Sequence, residues 1–172
     1  MGLADDRAAF DRLMVEHLPS AQRFAIRLCG DAEAAQDLVQ EAMVRAARSW
    51  HTYRGEARFT TWLFRIVISA FRDQHEKLRL AGDVGDDVVD RHARDPAQDA
   101  AAAEFGRIVA MHVSRLPPRQ REVIVLSAYE QLAIGEIATV LEISEQNVRT
   151  NLHLARERLR EQLSRYVGGE KR

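Results

Sequence analysis

The chain has a single cysteine, Cys29, so an internal disulfide and a cysteine-rich zinc site are both excluded. It has four prolines and nine glycines in 172 residues, too few for a loop-rich fold. Aromatic residues make up 6% of the sequence, and the formal net charge of −1 argues against a histone-like general binder of nucleic acid. No apolar run approaches the roughly 20 residues a membrane-spanning helix needs, so no membrane insertion is expected. The first residues, Met1-Gly2-Leu3-Ala4-Asp5-Asp6, carry neither a basic n-region nor an apolar h-region. No secretory leader is therefore expected, and a cytoplasmic location is. The histidines His17, His51, His75, His92, His112 and His153 are scattered without metal-ligand spacing. There is no glycine-rich phosphate loop and no paired-carboxylate cluster, so the expectation is no enzyme, no metal, no cofactor and no catalytic residue.

The residues present favour helix. Hydrophobic residues make up 46% of the chain, enough for a packed core, and Ala, Leu, Arg and Glu dominate. A first helix is predicted from about Asp5 to Leu28, with Phe10, Leu13, Met14, Leu18, Ala21, Ala25 and Leu28 on its apolar face and Pro19 as a possible break. Gly30 suits a helix end and Asp31 a new N-cap. Cys29, with no charged partner evident, reads as a small apolar side chain. The second helix, about Ala32 to Ser49, turns Ala35, Leu38, Val39, Ala42, Met43 and Ala46 inward. Its outer face carries Asp37, Gln40, Glu41 and Arg48.

Trp50 to Phe59 is a loop dense in aromatics and arginines. Thr60 or Thr61 is placed to cap a third helix, Trp62 to about Leu80, whose inner positions are Trp62, Leu63, Ile66, Val67 and Ala70. Rings interleaved with bases suit single-stranded DNA, because bases stack on rings and phosphates pair with guanidinium groups. At least one of Trp50, Phe59 and Trp62 should instead plug the core. From Ala81 to about Ala103 the periodicity lapses into Gly- and Asp-rich sequence, read as a flexible acidic linker. Helix resumes at Ala100, stops at Leu116-Pro117-Pro118, and restarts from Arg119 to about Tyr129 with Val123, Ile124 and Leu126 buried.

The C-terminal stretch carries the strongest local pattern. Ile134 to Leu141 reads as a short helix, Glu142-Ile143-Ser144 as a tight turn, and Glu145 to about Leu163 as a longer helix with Ser144 at its N-cap. Val148, Leu152, Ala155, Leu159 and Leu163 form an apolar stripe. The opposite side carries Gln146, Thr150, His153 and Glu157, flanked by Asn147, Arg149 and Asn151. This is a helix-turn-helix, in which the start of the second helix enters the major groove of duplex DNA.

Three stretches together resemble the bacterial sigma factors of the extracytoplasmic-function (ECF) group. Asp37 to Ala46 looks like the family's segment that docks on polymerase. Tyr53 to Ile66 is similar to the loop and helix that capture and melt the minus-ten element. Leu116 through Leu159 looks like region four, which reads the minus-thirty-five element. The chain differs from the usual pattern at Gln146, Asn151 and Leu154 of the recognition helix, and at Ser69 and Glu76 of the minus-ten helix; Asp73 is retained.

The resemblance implies an all-α fold of two small helical domains: a region 2-like domain over 1–80, an acidic linker over 81–103 and a region 4-like helix-turn-helix domain over 104–172. It implies polymerase contacts at Asp37, Leu38, Gln40 and Glu41. It implies minus-ten DNA contacts at Tyr53, Arg54, Arg58, Phe59, Thr60, Trp62, Arg65, Ser69, Arg72 and Asp73. It implies minus-thirty-five contacts at Ser144, Gln146, Asn147, Arg149, Thr150, Asn151 and His153. The implied partners are core RNA polymerase, through the clamp helices of its largest subunit and its flap, promoter DNA, and an anti-sigma factor. The implied function is transcription initiation at specific promoters; the alternative is a sigma-like decoy that binds an anti-sigma factor without initiating.

Overall fold

The computed structural model describes residues 3–80 and 100–167, with side chains over 7–80 and 104–166. The helices in chain order are α1 (Leu3–Cys29), α2 (Ala32–Ser49), α3 (Phe59–Leu80), α4 (Ala100–Ser114), α5 (Pro118–Ala128), α6 (Ile134–Leu141) and α7 (Glu145–Val167), with a short 3-10 turn at Trp50–Thr52. Most of the acidic stretch, residues 81–99, lies outside the described residues. Helix α4 already begins at Ala100, so the expected linker end at 103 falls inside a helix.

Local signals place most helix ends. Gly30 takes φ +72° and its amide donates to the Ile26 carbonyl, closing α1. The Asp31 carboxylate accepts from the Ala34 amide at 2.9 Å, opening α2. Pro118 starts α5, where a missing amide hydrogen is harmless. Two expectations fail locally. Pro19 does not divide α1, which is one helix of 27 residues. Neither Thr60 nor Thr61 caps α3: it begins at Phe59, and the Arg58 carbonyl accepts from the Thr61 and Trp62 amides. Thr61 is instead buried.

Helices α1, α2 and α3 pack together as a first lobe, and α4 to α7 form a second. The expected inner residues of α2 are buried except Met43, which is 37% exposed. Phe24, Phe64, Ile68 and Phe71 are buried as well, beyond the set read from periodicity.

The lobes are not separate bodies. One apolar cluster runs from Phe24, Leu28, Val67 and Phe71 of the first lobe through Val123, Leu126, Ile137 and Leu152 of the second. Helix α5 lies between α1 and α7 and is buried nearly all round, including Gln120, Arg121 and Glu122. A smaller cluster of Phe10, Met14, Ala21, Ala46, Phe59 and Leu63 closes the far end of the first lobe.

Candidate nucleic-acid interface

In the second lobe, α6, a turn and α7 form the helix-turn-helix. The Glu136 carboxylate accepts from the Ala133 amide at 2.9 Å, fixing the start of α6. Glu142 closes α6 in the left-handed region at φ 56°, and the Ile143 amide donates to the Ala138 carbonyl. The Ser144 hydroxyl then accepts from the Asn147 amide at 3.2 Å. Ser144 is thus an N-cap, and its oxygen serves the helix.

Behind the cap, Val148, Leu152 and Ala155 are buried, while Gln146, Asn147, Arg149, Thr150 and His153 are exposed and Asn151 is half-buried. The row faces solvent as its spacing predicts. Several of its groups are already tied within the helix. The Thr150 hydroxyl donates to the Gln146 carbonyl at 3.0 Å and the Asn151 amide to the Asn147 carbonyl at 2.8 Å. Arg149 pairs with Glu145 at 2.8 Å, and His153 lies 3.5 Å from Glu157. The Thr150 oxygen keeps acceptor capacity toward a groove, and the Asn151 carboxamide keeps its oxygen and a second N–H. Leu154, 39% exposed on the same helix, was not among the predicted contacts.

In the aromatic loop, Phe59 is the ring that plugs the core, as expected of at least one of Trp50, Phe59 and Trp62, and it is thereby lost as a DNA contact. The rings of Trp50, Tyr53, Phe59 and Trp62 pack on one another, with Trp50 and Tyr53 stacked at 5.4 Å between centroids. Phe59 is 5% exposed within the smaller core cluster, so it cannot stack on a base without leaving the core. It supports the loop from beneath. Tyr53 and Trp62 are half-buried, and the Tyr53 hydroxyl donates to the Ala57 carbonyl, which holds the loop closed. Arg54 and Arg58 are exposed, and Thr60 is half-buried. Gly55 takes φ +73°, which a residue with a Cβ rarely adopts, so it sets the loop's bend.

Along α3, Arg65, Ser69 and Asp73 are exposed and Arg72 is half-buried. Arg72 is committed: its Nε and Nη2 donate to the two oxygens of Glu122 at 2.9 Å each. Arg65 pairs with Glu142 of the helix-turn-helix. Asp73 accepts from Arg45 of α2 at 2.5 Å.

The predicted polymerase residues face a groove of about 360 Å³ between α2 and α3, lined by Asp37, Gln40, Glu41, Val44, Arg45, Asp73, Gln74 and Lys77. Leu38 is the exception. It is fully buried in the large core, so it positions α2 and cannot touch a partner. The hydrogen bond from Arg45, at 2.7 Å, is the largest effect holding the Glu41 carboxyl below its ordinary value. Arg45 and the 45% exposed Val44 belong to this face, although the sequence reading did not select them as contacts. The Glu41–Arg45 spacing of four was the available signal. Burial pushes the Cys29 thiol up to about 12 against a lowering pull from Arg121, a charged neighbour the sequence did not reveal, so the thiolate is disfavoured.

Comparison with known proteins agrees with this arrangement. The family model "Sigma-70 region 2" matches residues 13–80, and "Sigma-70, region 4" matches residues 107–159. The ECF RNA polymerase sigma factor SigL of Mycobacterium tuberculosis (strain Erdman) is 32% identical over 162 residues, covering 92% of each chain. The RNA polymerase sigma-E factor of Streptomyces coelicolor is 34% identical over 142 residues, covering 82% of this chain and 78% of its own. Among solved structures, CnrH in complex with the cytosolic domain of CnrY superposes with a TM-score of 0.63 at 28% identity, over 96% of this chain and 91% of its own. The sigma factor RpoE of Bartonella quintana, in complex with the anti-sigma factor NepR, gives 0.74 at 24% identity, over 91% and 97%. Two family segments in order, a two-lobed helical fold and relatives matched nearly end to end establish that this chain belongs to the ECF group of the sigma-70 family of RNA polymerase sigma factors.

Proposed function

We propose that this sigma factor divides its work as follows. The first lobe docks on the clamp helices of the largest polymerase subunit through the α2 face of Asp37, Gln40 and Glu41. The same lobe engages the minus-ten element with the Tyr53–Phe59 loop and the outer edge of α3. A base flipped out of the duplex costs a few kcal/mol of unstacking, and packing against Tyr53 and Trp62 would offset it. The second lobe sits on the polymerase flap and reads the minus-thirty-five element with the exposed row of α7.

The observation that carries this reading is the α7 row: a capped helix whose buried side is wholly apolar and whose other side presents amides, a hydroxyl, an arginine and a histidine. That chemistry matches base edges and phosphates in a major groove. The chain supplies recognition, and bond formation belongs to core polymerase. It acts where core polymerase is, in the cytoplasm; among the described residues no helix is long and apolar enough to cross a membrane. An anti-sigma protein is proposed as a further partner, supported by CnrH being held by a cytosolic protein domain.

The test is run-off transcription with purified core polymerase and a promoter library. Promoter-dependent transcripts are expected only when the chain is added. Binding to core without any promoter-dependent transcript would replace this reading with that of a decoy.

A further inference from the structure

Helix α7 carries one apolar side chain that its packing does not use. Leu154 is 39% exposed and lies outside both apolar clusters. It follows Thr150 by four residues and Asn147 by seven, so it continues the exposed row one turn beyond Thr150. Measured from the buried stripe of Val148, Leu152 and Ala155, it stands nearer the middle of the exposed face than Arg149 does.

The polar groups beside it have their donors partly spent. The Thr150 hydroxyl gives its hydrogen to the Gln146 carbonyl at 3.0 Å, and one Asn151 N–H goes to the Asn147 carbonyl at 2.8 Å. His153 lies 3.5 Å from Glu157. Arg149 is the only Lys or Arg among residues 145–155; it stands at the edge of the face and pairs with Glu145 at 2.8 Å. Guanine is read in the major groove chiefly by an arginine or lysine on its O6 and N7, and the middle of this row holds neither. Thymine is read by apolar contact with its C5 methyl group, which is the one contact a leucine offers.

We propose that Leu154 is a specificity-determining residue: it packs on the C5 methyl group of a thymine in the minus-thirty-five element and selects thymine over cytosine there. This rests on the reading of α7 as the minus-thirty-five helix. A cytosine at that place lacks the methyl group and sets its N4 amino donor against a side chain with no acceptor. One helical turn advances about 5.4 Å, and successive bases on a strand are about 3.4 Å apart along the axis. The thymine therefore lies about one or two base pairs from the position that Thr150 meets.

The test begins with wild-type holoenzyme selecting among promoters with a randomised minus-thirty-five element. Each thymine of the selected element, on either strand, is then replaced singly by deoxyuridine. That removes the methyl group and leaves every hydrogen-bonding group in place. The duplexes are titrated by anisotropy with wild-type, Leu154→Ala and Leu154→Met holoenzyme. Circular dichroism and co-purification with core polymerase report helix content and assembly.

The expected result is one thymine at which deoxyuridine weakens wild-type binding about fourfold, the scale of one buried methyl group. Leu154→Ala should bind the thymine duplex about fourfold more weakly and lose the deoxyuridine penalty at that position alone. Leu154→Met, which keeps an apolar side chain of similar reach, should retain the penalty. The proposal is overturned if no thymine shows a penalty in the wild type, or if the penalty persists in Leu154→Ala. It is also overturned if Leu154→Ala weakens all duplexes alike, or loses helix content or core binding, since Leu154 would then serve packing or assembly. A wild-type holoenzyme that selects no minus-thirty-five sequence at all would instead overturn the reading of α7. Selection of a preferred element without a Leu154-dependent methyl penalty overturns this inference alone.

Discussion

Replacing Arg149 with Ala is expected to weaken binding to all promoters alike and to flatten the salt dependence. Arg149 sits at the edge of the exposed α7 face and pairs with Glu145, one turn earlier, with both side chains 52% exposed. An exposed pair at this spacing is worth about 0.3–0.5 kcal/mol, so DNA can take the guanidinium at little cost. Serving as a phosphate grip, Arg149 contributes about one unit to the salt slope. Over a fourfold rise in salt, the variant should therefore lose roughly three- to fourfold less affinity than the wild type.

Thr150→Ala should behave otherwise. Its hydroxyl hydrogen is spent on the Gln146 carbonyl, so the residue meets a base through its oxygen acceptor or its methyl group. Its loss should relax preference at one position, by up to about 1–3 kcal/mol, with the salt slope intact. The assay is anisotropy of holoenzyme on promoter duplexes with single changes in the minus-thirty-five element, at two salt concentrations. A single-position change of preference in Arg149→Ala, with an unaltered salt slope, would make Arg149 a base reader and refute the assignment. No effect from either substitution would remove α7 from DNA recognition.

Other perturbations test the remaining surfaces. Asp37→Lys with Glu41→Lys should abolish co-purification with core polymerase at unchanged helix content; wild-type recovery would sink the docking assignment. Arg121→Met should lower stability by about 1–3 kcal/mol, because two charge-assisted bonds to the Leu28 and Leu116 carbonyls outweigh the relief of unburying a guanidinium; a urea midpoint equal to or above wild type would contradict that balance. His75 is held below its ordinary 6.5 by burial first and Arg121 second, against a smaller opposing pull from Glu122. The unfolded chain thus takes the proton first, so the contribution of neutral His75 is present above pH 6.5 and is lost as pH falls through the depressed folded value. Urea midpoints at pH 7.5 and 5.5 should therefore differ less in His75→Gln than in wild type, and an equal difference would exclude His75 as the cause.

What the sequence determined by itself is what short-range physics decides. The Gly30 and Asp31 boundary, the Pro118 start, the Ser144 cap and the stripe of Val148, Leu152 and Ala155 all depend on neighbours within one or two helical turns, and all stand in the structure. The exposed α7 row follows directly from that stripe, since a helix cannot bury one side without presenting the other. The outer α2 face at Asp37, Gln40 and Glu41 was legible for the same reason.

Tertiary structure alone decided the rest. Leu38 and Phe59 were each read both as core candidates and as contact residues, and only packing against other helices decides for the core. Pro19 was overridden within a 27-residue helix packed on α2 and α3. Gln120, Arg121 and Glu122 carry polar signatures on a helix buried nearly all round. Their partners lie far away in the chain: Glu122 meets Arg72 across 50 residues, and Arg121 meets Leu28 across 93. No local periodicity encodes such a pairing. Periodicity reports which side of a helix is apolar, whereas a buried charge is tolerated only where a distant residue supplies its counter-charge or hydrogen bond.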